Sequence, residues 1–227
     1  MTFKIGLTHD LLDSTGKPSF GEAALDVLNG NPDLQWEYLT PGLTEISPEI
    51  AAQYDGLYVN TPQVTAATVG RADCKVQIIA RHGVGYDSVD VSALTDKGIV
   101  LTNTPVAVRR PVAVAAVTLI TALAGRLFTK DRLTRTNAWD DRTLHMGLGL
   151  KGRVLTVIGG GSIGKEILRM MAPFEMTYRV VDPYQTNADF QSLNATVVSL
   201  AQGLEQADFV VMSCLLTAQT RHLISRA

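Results

Sequence analysis

Gly159-Gly160-Gly161-Ser162-Ile163-Gly164 has the spacing G-x-G-x-x-G. It directly follows the apolar run Val154 to Ile158 and opens a segment with helical spacing, Ser162 to Met171. An acidic residue, Asp182, closes the next strand-like run about 20 residues on. Each position has a physical role. Gly159 permits a tight turn, Gly161 lets backbone approach a diphosphate with no Cβ in the way, and Gly164 lets helix and strand pack closely. The helix start, Ser162 and Ile163, offers unpaired N–H groups and a partial positive charge. Asp182 is placed to accept hydrogen bonds from ribose hydroxyls. A tight glycine turn that binds nothing is the alternative. A methyltransferase also combines a glycine loop with an acid, but the two residues before the third glycine favour a dinucleotide. Pro183, Tyr184, Gln185, Thr186 and Asn187 follow Asp182, and none is basic. A 2′-phosphate would meet a carboxylate there, so NAD is expected over NADP.

Other polar residues carry weaker signals. His82 stands beside the turn run Gly83-Val84-Gly85, and His222 lies near the C-terminus. His82 is placed to touch a ligand at that turn or to be a surface loop residue, and His222 reads as structural or solvated. His9, His145, Cys74 and Cys214 show no metal-ligand spacing, so no metal is expected. Arg109 and Arg110 precede a long apolar segment. If that segment is a helix starting at Pro111, two cations sit where its dipole disfavours them. Either an acid in a cleft or a salt bridge would offset this.

The elements that position these groups alternate. Strands are expected at Phe3 to Thr8, Leu34 to Leu39, Asp55 to Val59, Val76 to Ala80 and Ile99 to Thr102. Helical spacing runs over Phe20 to Leu28 and Val89 to Lys97, with a short helix at Pro48. An apolar helix, Pro111 to Leu127, follows, buried on more than one side. Thr129 to Arg142 reads as a solvated connector. The alternation restarts with strands at Arg153 to Ile158, Tyr178 to Val181, Ala195 to Val198 and Asp208 to Ser213. A helix is expected over Leu200 to Gln206. The pattern predicts an α/β protein of two parallel-sheet domains.

Composition sets outer bounds. The chain has 227 residues, 46% hydrophobic and 19% charged, which suits a packed core. Net charge is −2, which gives no reason to expect nucleic acid or an anionic membrane as partner. The longest uncharged apolar stretch, Pro111 to Gly125, is shorter than the about 20 residues that span a bilayer. Two cysteines make no disulfide framework, so a reducing, cytoplasmic setting is expected.

The chain resembles the D-isomer-specific 2-hydroxyacid dehydrogenases over nearly its whole length. The resemblance rests on Gly83-Val84-Gly85-Tyr86-Asp87-Ser88-Val89-Asp90, on Gly98 to Pro105, on Leu150-Lys151-Gly152-Arg153 before the glycine motif, on Val181-Asp182-Pro183-Tyr184, and on Leu216 to Ile224. It implies a flavodoxin-like substrate domain, residues 1–104, and a Rossmann NAD-binding domain, residues 105–227. It implies hydride transfer between nicotinamide and C2 of a small 2-hydroxy or 2-oxo acid. The N–H groups of Val84 and Gly85 would hold the substrate carboxylate, with Asn60 and Thr61 as the other wall. Cys214, Leu215 and Thr220 would lie on the adenosine side, and the Pro111–Leu127 helix would make a homodimer contact.

The family's catalytic arginine, acid and histidine lie C-terminal to the segment matched by Leu216 to Ile224, so no residue here inherits those roles. The expectation is a Rossmann half lacking its last strands. Three readings are open: a portion of a longer dehydrogenase, a noncatalytic NAD-binding sensor or scaffold, or a degenerate product.

Overall fold

Runs of β-branched and aliphatic residues alternate with short amphipathic segments, and the two periodicities produce two all-parallel sheets. The computed structural model describes residues 2–225. The chain folds as two compact units, Met1–Pro105 and Val106–Ala227.

In unit 1 the strands are β1 (Phe3–Leu7), β2 (Leu34–Tyr38), β3 (Gly56–Val59), β4 (Ile78–Arg81) and β5 (Val100–Thr102). They lie in the order β2-β1-β3-β4-β5. Every pairing is parallel. This is the flavodoxin-type order, whose switch point falls between β1 and β3. Helices α1 (Asp26–Asn29), α2 (Pro48–Ala51), α3 (Ala66–Gly70) and α4 (Val91–Asp96) connect them. Leu57, Val59 and Ile79 from the sheet pack with Ile46, Val69 and Leu94 to form the core.

α5 (Pro105–Ala124) leads into unit 2 and is followed by α6 (Leu127–Arg135). Then come β6 (Val154–Ile158), α7 (Ser162–Met171), β7 (Thr177–Val181), β8 (Ala195–Val197), α8 (Leu200–Glu205) and β9 (Phe209–Met212). The sheet order is β8-β7-β6-β9, all parallel. It equals the first four positions of the Rossmann order. β6 is central and buried on both faces, as its nearly continuous apolar sequence requires. Its one polar residue, Thr156, is fully buried, and its hydroxyl donates to Gly203 O at 2.7 Å.

Several elements depart from the sequence expectations. The segment Phe20 to Leu28 is not one helix. It breaks into a 3-10 turn, Glu22–Leu25, and the single turn α1, and Val27 is 77% exposed. Its apolar side therefore buries little. α3 was not expected. It is held by a capping box in which the Thr65 hydroxyl accepts from Thr68 N and the Thr68 hydroxyl accepts from Thr65 N. Thr129 to Arg142 is not a connector: α6 covers its first half, and a 3-10 segment, Trp139–His145, covers most of the rest.

The largest correction concerns α5. It begins at Pro105, not Pro111, so Pro111 lies inside it. Arg109 and Arg110 are therefore in its second turn rather than before its start. At 20 residues the helix is long and apolar enough to cross a bilayer by length and composition. It is not buried all round. Ala113, Ala116, Val117 and Ile120 form one stripe against the unit 2 core. Val106, Val112, Val114, Leu119 and Leu123 are exposed.

Candidate active site

The glycine loop joins β6 to α7 with a geometry only glycine satisfies at two positions. Gly159 has φ +100°, and a Cβ there would lie 2.5 Å from Cys214 N. A Cβ on Gly164 would run into the Gly159 carbonyl oxygen and sit 3.1 Å from Val157 Cγ1. Gly161 is the opposite case: a Cβ would meet nothing within 4 Å, so the loop is open on that side. No side chain caps the start of α7, which leaves its first N–H groups, at Ser162 and Ile163, for a ligand.

Asp182 ends the neighbouring turn after β7. Its Oδ2 accepts from Gly160 N at 2.8 Å, and its Oδ1 accepts from Tyr184 N at 2.9 Å. Each oxygen keeps a second lone pair for an outside donor. Gly160, an x position of the motif, proves as constrained as its neighbours. A Cβ there would lie 2.7 Å from Phe190 Cζ and 3.0 Å from Val180 Cγ1.

These groups border a cleft of about 630 Å³ at the carboxyl ends of the unit 2 strands. Gly159, Gly161, Asp182, Pro183, Cys214, Leu215 and Thr220 line it together. Ser162, Ile163 and Gly164 do not. Gly164 packs behind the loop, and Ile163 lies partly against the core. Sequence reasoning missed Val198, Ser199 and Leu200 in the lining. The signal was available, because the ends of β7 and β8 are where ligands bind in such sheets. Thr220 also shapes this wall. Its hydroxyl accepts from Thr217 N at 2.7 Å and donates to Leu215 O, which folds the segment into a turn. One cation does reach the ribose turn. Lys165 Nζ donates to Gln185 Oε1 at 3.2 Å and lies 4.9 Å from the Phe190 ring centroid.

The expected substrate residues all lie in unit 1, at the carboxyl ends of β3 and β4. Asn60 N donates to Thr8 Oγ1 at 3.1 Å, and Thr61 N to Asp10 Oδ2 at 2.8 Å. That wall is thus tied to the end of β1. The glycine-rich loop is pinned from the other side. Gly83 N donates to Thr104 Oγ1 at 3.0 Å, and Asn103 Nδ2 to Val84 O at 2.9 Å. Among the described residues, the N–H groups of Val84 and Gly85 have no protein acceptor. Beside the loop, Tyr58 Oη and His82 Nδ1 are hydrogen-bonded at 2.5 Å. Burial and the Arg81 charge push His82 below the ordinary histidine value, while Asp10 pulls the other way.

Arg110 does not compensate a helix start. Its Nη1 bonds Glu166 Oε1 at 2.6 Å, and Arg169 Nη1 meets Glu166 Oε2 at 3.1 Å. Glu166 and Arg169 both sit on α7. The two arginines, Arg110 first, hold the Glu166 carboxyl below its usual range. No group of three metal-ligating side chains occurs among the described residues.

Residues 117–227 match the D-isomer specific 2-hydroxyacid dehydrogenase, NAD binding domain. Over its second half the chain is thus similar to the D-isomer specific 2-hydroxyacid dehydrogenase family. The chain is similar to the glyoxylate reductase of Korarchaeum cryptofilum, 31% identical over 83% of this chain and 58% of that protein. It is also similar to the hydroxypyruvate reductase of Thermotoga maritima, 33% identical over 81% of this chain and 58% of that protein. A solved glyoxylate reductase from Paecilomyes thermophila superposes with a TM-score of 0.78 at 25% identity, over 99% of this chain and 69% of that one. The chain thus spans a little over half the length of the two curated relatives.

The site fits NAD. Gly161 leaves the approach to the loop open, α7 has no side-chain cap, and the Asp182 carboxylate lines the cleft.

Proposed function

We propose that this chain supplies the cofactor-binding and acid-binding parts of an NAD-dependent 2-hydroxyacid dehydrogenase. The reaction is hydride transfer between nicotinamide and C2 of a small 2-hydroxy or 2-oxo acid. The observation that carries the reading is the cleft that joins the open Gly161 face to the Asp182 carboxylate. When bound, the nicotinamide supplies or takes the hydride. The N–H groups at Gly161, Ser162 and Ile163 hold the diphosphate at the α7 dipole. Asp182 accepts from the ribose hydroxyls and disfavours a 2′-phosphate. Pro183, Cys214, Leu215 and Thr220 wall the adenosine side. In unit 1 the free N–H groups of Val84 and Gly85 take the substrate carboxylate as a backbone nest does, and Asn60 and Thr61 form the facing wall.

The family's catalytic arginine, acid and histidine match no residue of this sequence. The 227-residue polypeptide is therefore expected to bind NADH without turning over 2-oxo acids. Its assembly is a homodimer in the cytoplasm, with the exposed apolar face of α5 at the contact. That face includes Leu119 at 59% and Leu123 at 64% exposure, more than a lone surface residue would need.

A fluorescence titration with NADH, followed by absorbance assays with glyoxylate, hydroxypyruvate, pyruvate and phenylpyruvate, tests the proposal. Absence of NADH binding would overturn it. Turnover above about 1 per second would show that a residue within the chain supplies the proton.

A further inference from the structure

β2 ends the unit 1 sheet, and β1 is its one strand neighbour. Phe3 N donates to Asp33 O, and Leu39 N donates to Leu7 O. Successive residues of a strand alternate sides, so the main-chain groups of Gln35 and Glu37 also face β1. Those of Trp36 and Tyr38 face outward, as does Leu34 O. None of these has a partner among the described residues. An open groove of about 590 Å³, lined by Leu28, Asn29, Pro32 and Trp36 among others, borders this edge. Proteins blunt such edges by brevity, lysine, proline or a bulge. The edge strands β5 and β8 have three residues each. β2 has five, in unbroken register with β1, and none is lysine or proline.

The β2 sequence, Leu-Gln-Trp-Glu-Tyr, complements itself read backwards. An antiparallel copy with Trp36 opposite Trp36 sets Leu34 against Tyr38 and Gln35 against Glu37. Trp36 N and O then meet their equals, and Tyr38 N meets Leu34 O. On one face the pairs are aromatic and aliphatic. Trp36 and Tyr38 already stand edge to face there, with centroids 5.7 Å apart, and Trp36 Nε1 donates to Asn29 Oδ1 at 3.0 Å. On the other face each Glu37 carboxylate has a Gln35 amide donor opposite. Lys4 Nζ and Tyr54 Oη, both at 2.8 Å, hold that carboxylate in place. Centring the pair on Glu37 instead would set two carboxylates against each other. Centring it on Gln35 would set Asp33 against Glu37. Like charges directly opposite destabilise a pair.

We infer that β2 is a self-association edge: two copies of this chain join their unit 1 sheets through an antiparallel β2–β2 contact centred on Trp36. The contact lies wholly within unit 1. It is separate from the α5 contact and does not rest on the dehydrogenase reading. With both contacts, copies associate beyond a dimer.

Sedimentation velocity of the 227-residue chain at rising concentration and low salt reads the association. Gln35→Glu changes an exposed residue and sets two carboxylates opposite each other twice per contact. It is expected to weaken association about tenfold and to halve the mass of the largest species. The halving holds whether the α5 contact forms or not. Gln35→Glu combined with Glu37→Gln exchanges the pair and should restore the wild-type mass. Amide hydrogen exchange reads the backbone. Trp36 and Tyr38 N–H should become protected as wild-type concentration rises, while Gln35 and Glu37, already bonded to β1, should change little. Trp36 and Tyr38 exchange indifferent to concentration, a Gln35→Glu mass equal to the wild type, or a double variant no better than Gln35→Glu would each overturn the contact. So would protection that appears only on adding a synthetic alternating valine–threonine peptide, which would give the edge to a foreign strand.

Discussion

The Asp182 carboxylate accepts the backbone N–H of Gly160 at 2.8 Å, so the acid after β7 is tied directly to the glycine loop after β6. One side chain therefore serves two ends. It fixes the glycine loop, and on the proposed reading it also presents charge to the ribose. Asp182→Asn keeps an acceptor for Gly160 N and Tyr184 N but removes the charge. Asp182→Ala removes both. NADH affinity is expected to fall about tenfold or more in Asp182→Ala and less in Asp182→Asn, since hydrogen bonds to charged groups contribute about 1.5–3 kcal/mol. NADPH affinity should change little or rise in both, with Lys165 at the ribose turn the nearby cation. Fluorescence titrations of both cofactors measure this. An unchanged preference for NADH in Asp182→Ala would remove Asp182 from ribose recognition.

The parts of this fold that sequence made legible are those where one signal dominates. The bounds of α7, Ser162 and Met171, read directly because a glycine loop opens the helix and apolar residues recur along one face. β6 read directly because a central parallel strand is apolar on both faces. α5 did not, because Pro105 and Pro111 are both acceptable first-turn prolines and only packing decides between them. The Arg110–Glu166 pair, 56 positions apart, tells in favour of the earlier start. α3 has five residues, too few for a period to show. α6 is polar because it buries little besides Leu133, so its surface face resembles a loop. Spacing singled out Gly159, Gly161, Gly164 and Asp182, and of these Gly159, Gly161 and Asp182 line the cleft. It assigned nothing to Gly160, whose constraint comes from Phe190 and Val180 in other elements.

Arg110 of α5 meets Glu166 of α7, which Arg169 on the same helix also bonds, and α7 opens at the glycine loop. Glu166→Gln keeps the shape and loses the charge. It is expected to lower the unfolding midpoint at pH 7 and to weaken NADH only slightly. The pH dependence fixes the cause. The folded protein holds Glu166 below its usual carboxyl value of 4.5, chiefly through Arg110. Its contribution is present above that value and is lost as pH falls through the lower folded value. The gap between variant and wild type should therefore close on acidification. A gap that stays constant from pH 7 down to about 3 would mean that packing, not charge, holds the helices together.

His82 gives the same sign, at higher pH and for a different reason. Burial first, and then the Arg81 charge, lower its value in the folded protein from the ordinary 6.5, with Asp10 acting against both. In the unfolded chain the imidazole takes its proton near the ordinary value. As pH falls below about 6.5 the unfolded state gains a proton that the folded state does not, and stability drops until the folded value is passed. Urea midpoints at pH 7.5 and pH 5.5 should differ more in the wild type than in His82→Gln, which carries no titrating ring. A proton NMR titration of the His82 ring adds a direct reading. Its midpoint should lie below 6.5 in the wild type. It should move up in Arg81→Met, because the cation that opposes protonation is gone. A wild-type midpoint at or above 6.5, or one indifferent to Arg81→Met, would mean that the Arg81 guanidinium does not act on His82.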